Sequence, residues 1–114
     1  MNLDLYSPAR GEIVLKGLHV AASPLERLAG LMLRRDAAPY SGLVFYRTGG
    51  IHTCFMRFKL DIVFVDRGMK VLKIFREVKP FRVVLCRRAH AAIEFKSGSA
   101  GAIAVGDTLE FKHG

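Results

Sequence analysis

Apolar and polar positions along the chain alternate in short runs, and the runs are broken by glycine, proline and serine. Residues 60–66, Leu60-Asp61-Ile62-Val63-Phe64-Val65-Asp66, are apolar on both alternating faces and rich in β-branched side chains. That pattern predicts a central strand covered on both sides. Shorter apolar pieces at 3–5, 12–15 and 18–20 are separated by Ser7-Pro8, Gly11 and Gly17, which predicts brief strands. Further strands are expected at 43–46, 51–56, 71–75, 81–85, 89–95 and 108–111. Gly49-Gly50, Asp66-Arg67-Gly68, the loop at 97–101 and Gly106-Asp107 mark the breaks between them. Residues 51–56 and 60–66 read as the two arms of a β-hairpin that turns at Arg57-Phe58-Lys59.

One segment has a helical signature instead. Ser23-Pro24-Leu25-Glu26 combines an N-cap serine, proline at the first helical position and a glutamate three residues after the cap. Leu25, Leu28, Ala29 and Met32 then fall on one face, so the helix is expected to pack on the sheet. Gly30 weakens it and residues 34–39, ending in Pro39, stop it, which sets its span at about 23–33. Many short strands with one early helix predict a mainly β fold, an antiparallel β-sandwich or partly closed barrel.

The length of 114 residues accommodates one domain, 1–114, with 51% hydrophobic and 25% charged residues, a globular balance. No apolar run approaches the roughly 18 residues of a membrane span, so no membrane insertion is expected. The N-terminus carries Asp4 where a secretory leader carries basic residues, which predicts a cytoplasmic location. Cys54 and Cys86 lack metal-knuckle or dithiol spacing and read as free thiols. The absence of Gln and the single Asn follow a trend of heat-adapted proteins.

Charge sharpens the picture. The formal net charge is +8, and residues 41–90 carry eleven Lys and Arg against three Asp and Glu. The segments before and after are close to neutral, so an anionic partner would be met in the middle of the chain.

Three blocks together carry a resemblance to a known family: 26–32 (Glu-Arg-Leu-Ala-Gly-Leu-Met), 52–66 (His-Thr-Cys-Phe-Met-Arg-Phe-Lys-Leu-Asp-Ile-Val-Phe-Val-Asp) and 101–107 (Gly-Ala-Ile-Ala-Val-Gly-Asp). In order and spacing the chain resembles the domain of unknown function 192 family. The resemblance implies a compact β-rich domain and brings no established activity. Two departures concern turns. Lys59 stands where the family often has proline, and Glu94-Phe95-Lys96-Ser97-Gly98 where it often has Glu-Leu-Pro-Ala-Gly.

Three constellations carry chemistry. On a strand over 51–56, His52, Cys54 and Met56 would share one face, a row of soft ligands suited to a thiophilic metal. Arg57 and Asp61 would flank the hairpin turn, where they could form a structural ion pair or a polar pocket for an anion. His52, Cys54 and Asp61 also contain the residue types of a hydrolytic site, although neighbours at i and i+2 on one strand rarely hydrogen-bond directly. Beyond these, Arg67, Lys70, Lys73, Arg76, Lys79, Arg82, Arg87 and Arg88 interleave with Phe75 and Phe81, a mixture that can hold phosphates and stack bases. No cofactor is indicated. The leading expectation is a small non-enzymatic binding or accessory domain with a ligand site at His52, Met56, Arg57 and Asp61. Nucleic-acid or polyanion binding through 41–90, and a metal or hydrolytic site at His52, Cys54 and Asp61, are the alternatives.

Overall fold

The structure, a computed structural model, describes residues 2–29 and 40–113. Strands β1 (Asn2–Ser7), β2 (Glu12–Val20), β3 (Gly42–Tyr46), β5 (Leu60–Val65), β6 (Val71–Val78), β8 (Ala91–Lys96) and β9 (Glu110–His113) form one sheet in the order β6-β5-β8-β3-β2-β1-β9. The short strands β4 (Gly50–His52) and β7 (Val83–Leu85) make a separate two-stranded sheet, and helix α1 covers Pro24–Ala29. The mainly β expectation holds.

The large sheet is mixed rather than antiparallel, because β2 and β3 run parallel. The connection over residues 21–41, which contains α1, carries the chain back so that β3 starts beside β2 in the same direction, and parallel pairing needs such a crossover. Between β1 and β2 the register shifts at Leu3/Leu5, where two steps on β1 oppose three on β2. Gly17 sits in that bulge with φ 71° and donates its N–H to Asp4 Oδ1 at 3.0 Å. Residues 12–15 and 18–20 are therefore one bulged strand and not two.

The sheet curls until its two edges meet at one corner. Lys70, just before β6, bridges Thr108, just before β9, and Val71 N–H donates to the Asp107 carbonyl at 2.8 Å. Closure stops there, since β6 and β9 share no ladder.

Two apolar layers follow from the period-two alternation of the central strands. Val44, Val63, Val65, Ile93 and Phe95 face the inside of the curled sheet with Leu3, Leu5, Leu18 and Leu109. Leu43, Phe45, Leu60, Ile62 and Phe64 face the other side, covered by Ile51, Met56 and Cys86. Strand β5 is buried on both faces, as its composition predicts, though it lies second from the edge. Burying each of Ile62 and Phe64 contributes about 2–3 kcal/mol.

The cap of α1 forms as its residues dictate. Glu26 N–H donates to Ser23 Oγ at 3.1 Å, and Ser23 N–H donates back to Glu26 Oε1 at 3.3 Å. The apolar face behaves differently from expectation, because Leu25 and Leu28 are exposed rather than packed on the sheet. The two-stranded sheet, together with Ala21 and the 53–58 loop, supplies the outer cover instead. The predicted continuation to residue 33 with Gly30 and Met32, and the stop at 34–39, lie outside the described residues. Among the described residues, no helix is long and apolar enough to cross a membrane.

Candidate functional site

The expected hairpin over 51–61 does not form. Only Gly50–His52 is extended, and it pairs with β7 rather than with β5. Residues 53–59 leave the strand in a compact turn, so His52, Cys54 and Met56 do not line one face. The cause is Thr53, a buried residue that binds a second loop from four directions. Its hydroxyl donates to the Lys79 carbonyl at 2.7 Å and accepts from Arg82 N–H at 2.8 Å. Its backbone N–H donates to the Arg82 carbonyl, and its carbonyl accepts from Phe81 N–H. This clamp commits the Thr53 backbone to residues 79–82 instead of to a hairpin with β5.

The predicted site residues are dispersed. Met56 is buried in the outer apolar layer, and Arg57 is exposed. His52 has both ring nitrogens engaged, Nδ1 accepting from Cys54 N–H at 3.2 Å and Nε2 facing the Leu28 carbonyl at 3.2 Å. The Nε2 contact ties α1 to β4. Cys54 and Cys86 are free thiols, and among the described residues no group of three His, Cys, Asp or Glu side chains gathers as a metal nest.

Asp61 is buried and makes no ion pair with Arg57. Its Oδ1 accepts from Glu77 N–H at 2.8 Å and Ser97 Oγ–H at 2.9 Å, and its Oδ2 accepts from Gly98 N–H at 3.2 Å. Glu77, at φ 52°, is the bulged residue of β6 whose extra step turns that N–H toward the carboxylate. Asp61 thus joins β5, the β6 bulge and the turn after β8. The departure at Ser97 supplies one of its donors, the hydroxyl.

Of the face around β7, the sequence reading named Lys79, Phe81, Arg82, Arg87 and Arg88 as basic surface, but not Phe55, Val83 or Leu85. Phe55 and Phe81 both sit at φ 60° and meet edge to face with ring centroids 5.4 Å apart. Left-handed backbone is costly for bulky side chains, so the Thr53 clamp sustains it. Beside them Val83 and Leu85 share the outer side of β7. The four side chains are 53%, 61%, 66% and 60% exposed, taking Phe55, Phe81, Val83 and Leu85 in turn. Segments 47–60 and 79–90, which build this region, contain seven Lys and Arg and no Asp or Glu. A strand over 81–85 was legible; that the side of Val83 and Leu85 faces solvent was not.

Strand β7 is also open along one edge. Arg82 and Cys86 hydrogen-bond toward Thr53 and Gly49, so by antiparallel alternation the N–H and C=O groups of Val83 and Leu85 point away from β4. Among the described residues no other strand pairs with them. A smaller feature lies under the nearby α1 end, a cleft of about 80 Å³ lined by Arg27, Thr48, His52, Met56 and the buried Glu94.

Fold and surface define a small, mainly β domain with an open mixed sheet and an exposed face that is both cationic and apolar. The chain belongs to the DUF192 family, described as "Uncharacterized ACR", whose profile matches residues 9–111 and spans all three resembling blocks. Two crystal structures share the fold. One is a protein of unknown function from Novosphingobium aromaticivorans, with a TM-score of 0.77 and 20% identity over 96% of this chain and 84% of that one. The other is a putative transcription regulator from Sinorhizobium meliloti, with a TM-score of 0.78 and 22% identity over 96% and 92%. No curated protein matches the chain.

Proposed function

We propose that this is a non-enzymatic binding domain that receives an extended, acidic segment of a partner protein along the open edge of β7. The observation that carries the reading is the coincidence of outward backbone donors and acceptors at Val83 and Leu85 with exposed apolar side chains on the same residues. Strand addition uses both features, main-chain hydrogen bonds for affinity and alternate side chains for specificity. The acid-free charge of the surrounding segments selects the occupant. Edge-to-edge pairing with a second copy would juxtapose two cationic faces, whereas an acidic strand complements them.

The Phe55–Phe81 pair favours a second reading, a single-stranded nucleic acid whose bases stack on the rings while Arg and Lys hold phosphates. Aliphatic Val83 and Leu85 and the open backbone edge fit a peptide better, because strand addition uses both together, whereas base stacking draws on the two rings alone.

The test compares a Glu/Val alternating octapeptide, a Lys/Val octapeptide and a short oligothymidylate by fluorescence anisotropy. Expected is binding of the Glu/Val peptide, weakened by salt and by about tenfold in Val83→Pro, which removes one outward N–H. Val83→Lys serves as a second variant, and thermal melts report retention of fold. Peptide affinity unchanged in both variants, binding of oligothymidylate alone, or self-association that consumes the same edge would overturn the reading.

A further inference from the structure

A second cavity lies beside α1, and Arg27 lines both it and the smaller cleft. It has a volume of about 620 Å³ and is lined by Val20, Ala21, Ala22, Arg27, Tyr46, Arg47 and His90. That is within the roughly 300–1,000 Å³ of small-molecule sites. Its cationic character follows from how the chain is routed. Strand β3 ends at Tyr46, and the backbone turns left-handed at Arg47, φ 56°. Arg47 N–H donates to the His90 carbonyl at 2.6 Å and His90 N–H donates to the Val65 carbonyl at 2.8 Å, which fixes both residues beside the end of β5. Arg27 enters from the last turn of α1, whose start is held by the Ser23–Glu26 cap and by the His19–Glu26 contact of 2.6 Å.

No carboxylate lines this cavity among the described residues, and neither guanidinium has an ion-pair partner there. A left-handed arginine costs the fold about 1–3 kcal/mol, and such strain gathers where a side chain must be aimed. Burial pushes the Tyr46 phenol above its ordinary value, so it remains a protonated donor.

A neighbouring cavity of about 570 Å³ shares Val20, Ala22 and Tyr46 with the first and continues over Leu3 and Phe111. The Tyr46 ring stands between them, 6.1 Å from His90 on one side and 6.1 Å from Phe111 on the other. In the second cavity Glu26 is already engaged by His19, and the remaining floor is largely apolar. The two halves differ in chemistry: Arg27 and Arg47 line the first, whereas Leu3, Val20 and Phe111 line the second beside the His19–Glu26 pair and His113, and both share Tyr46.

We infer that this double cavity binds a small amphipathic anion, its carboxylate or phosphate between Arg27 and Arg47 and its apolar body across Tyr46 onto Phe111. Arginine matches both headgroups through paired N–H donors, and the apolar half adds affinity in proportion to the chain length it covers. The site shares no residue with the β7 edge at Val83 and Leu85, although Arg47 and His90 belong to the basic segments that flank that face, so either can exist without the other.

The experiment is a titration of the full chain, ¹⁵N-labelled, with octanoate, octyl phosphate and the neutral control octanol, followed by amide shifts. Expected are saturable shifts at Val20, Ala22, Tyr46 and Arg47 with both anions, a preference between them that identifies the headgroup, and none with octanol. Arg27→Gln and Arg47→Asn should each weaken the preferred anion by about tenfold, the asparagine being chosen because it tolerates a left-handed backbone. Arg88→Gln, at a residue that lines neither cavity, should leave affinity unchanged. Equal binding of octanol, affinity insensitive to both arginine variants, or shifts confined to Phe55, Phe81 and Val83 would overturn the inference.

Discussion

At the scale of single residues, positions with no tolerance are those where backbone and side chain meet without room. Gly42 begins β3 between β2 and β8, and a Cβ there would stand 2.3 Å from the Glu94 carbonyl and 3.0 Å from Phe95 Cβ. Backbone cannot yield as a flexible side-chain end can. Gly42→Ala is therefore expected to cost about 3 kcal/mol, the upper end of overpacking penalties, measured by urea denaturation. Thr53 and Asp61 are the polar counterparts. Thr53→Val should remove the hydroxyl that joins the 53–56 and 79–82 turns and cost about 1–3 kcal/mol, since the Lys79 carbonyl and Arg82 N–H lose a buried partner. The same variant should relax Phe55 and Phe81 from φ 60°, visible as loss of their mutual ring-current shifts.

At the scale of elements, α1 is a short helix held by polar contacts more than by its apolar face. Its docking depends on Glu26, whose carboxyl is held below the usual carboxylate range, first by the hydrogen bond from the His19 ring and then by the Ser23 N–H. A carboxylate depressed in the folded state is protonated first in the unfolded chain. Its contribution is complete above the unfolded carboxylate's titration and is lost as pH falls through the folded value. Glu26→Gln should therefore flatten the acid limb of stability below about pH 5, where the unfolded carboxylate begins to titrate. Urea midpoints of both forms between pH 3 and 7 would show it, and parallel acid limbs would contradict the assignment.

At the scale of the molecule, charge is the dominant feature. The chain carries +8, and residues 41–90 hold eleven Lys and Arg against three Asp and Glu. Self-repulsion should make the fold salt-stabilised, because added ions screen like charges on the exposed 47–60 and 79–90 segments. Raising sodium chloride from low to physiological strength should lift the melting temperature by roughly 4 °C, which for this chain length corresponds to about 1 kcal/mol. The same salt should weaken acidic-peptide binding at β7, so stability and affinity are expected to move in opposite directions.

What the order of residues determined by itself was local. Alternation and β-branching located most of the strands, the capping signature located the start of α1, and the count of cations located the basic region. The DUF192 blocks were legible for the same reason, being contiguous stretches of chain. Partnership was decided by tertiary structure. A run such as 51–56 has strand composition, but whether it turns back on 60–66 depends on what else competes for its backbone. Thr53 gave that backbone to residues 79–82, more than twenty positions away. The row of His52, Cys54 and Met56 dissolved with the hairpin, and Asp61 found the β6 bulge instead of Arg57. Exposure followed the same rule: Val83 and Leu85 are composed like core residues, and among the described residues no strand covers them. Long-range hydrogen bonds and burial depend on the whole set of packed elements, and no local pattern carries that information.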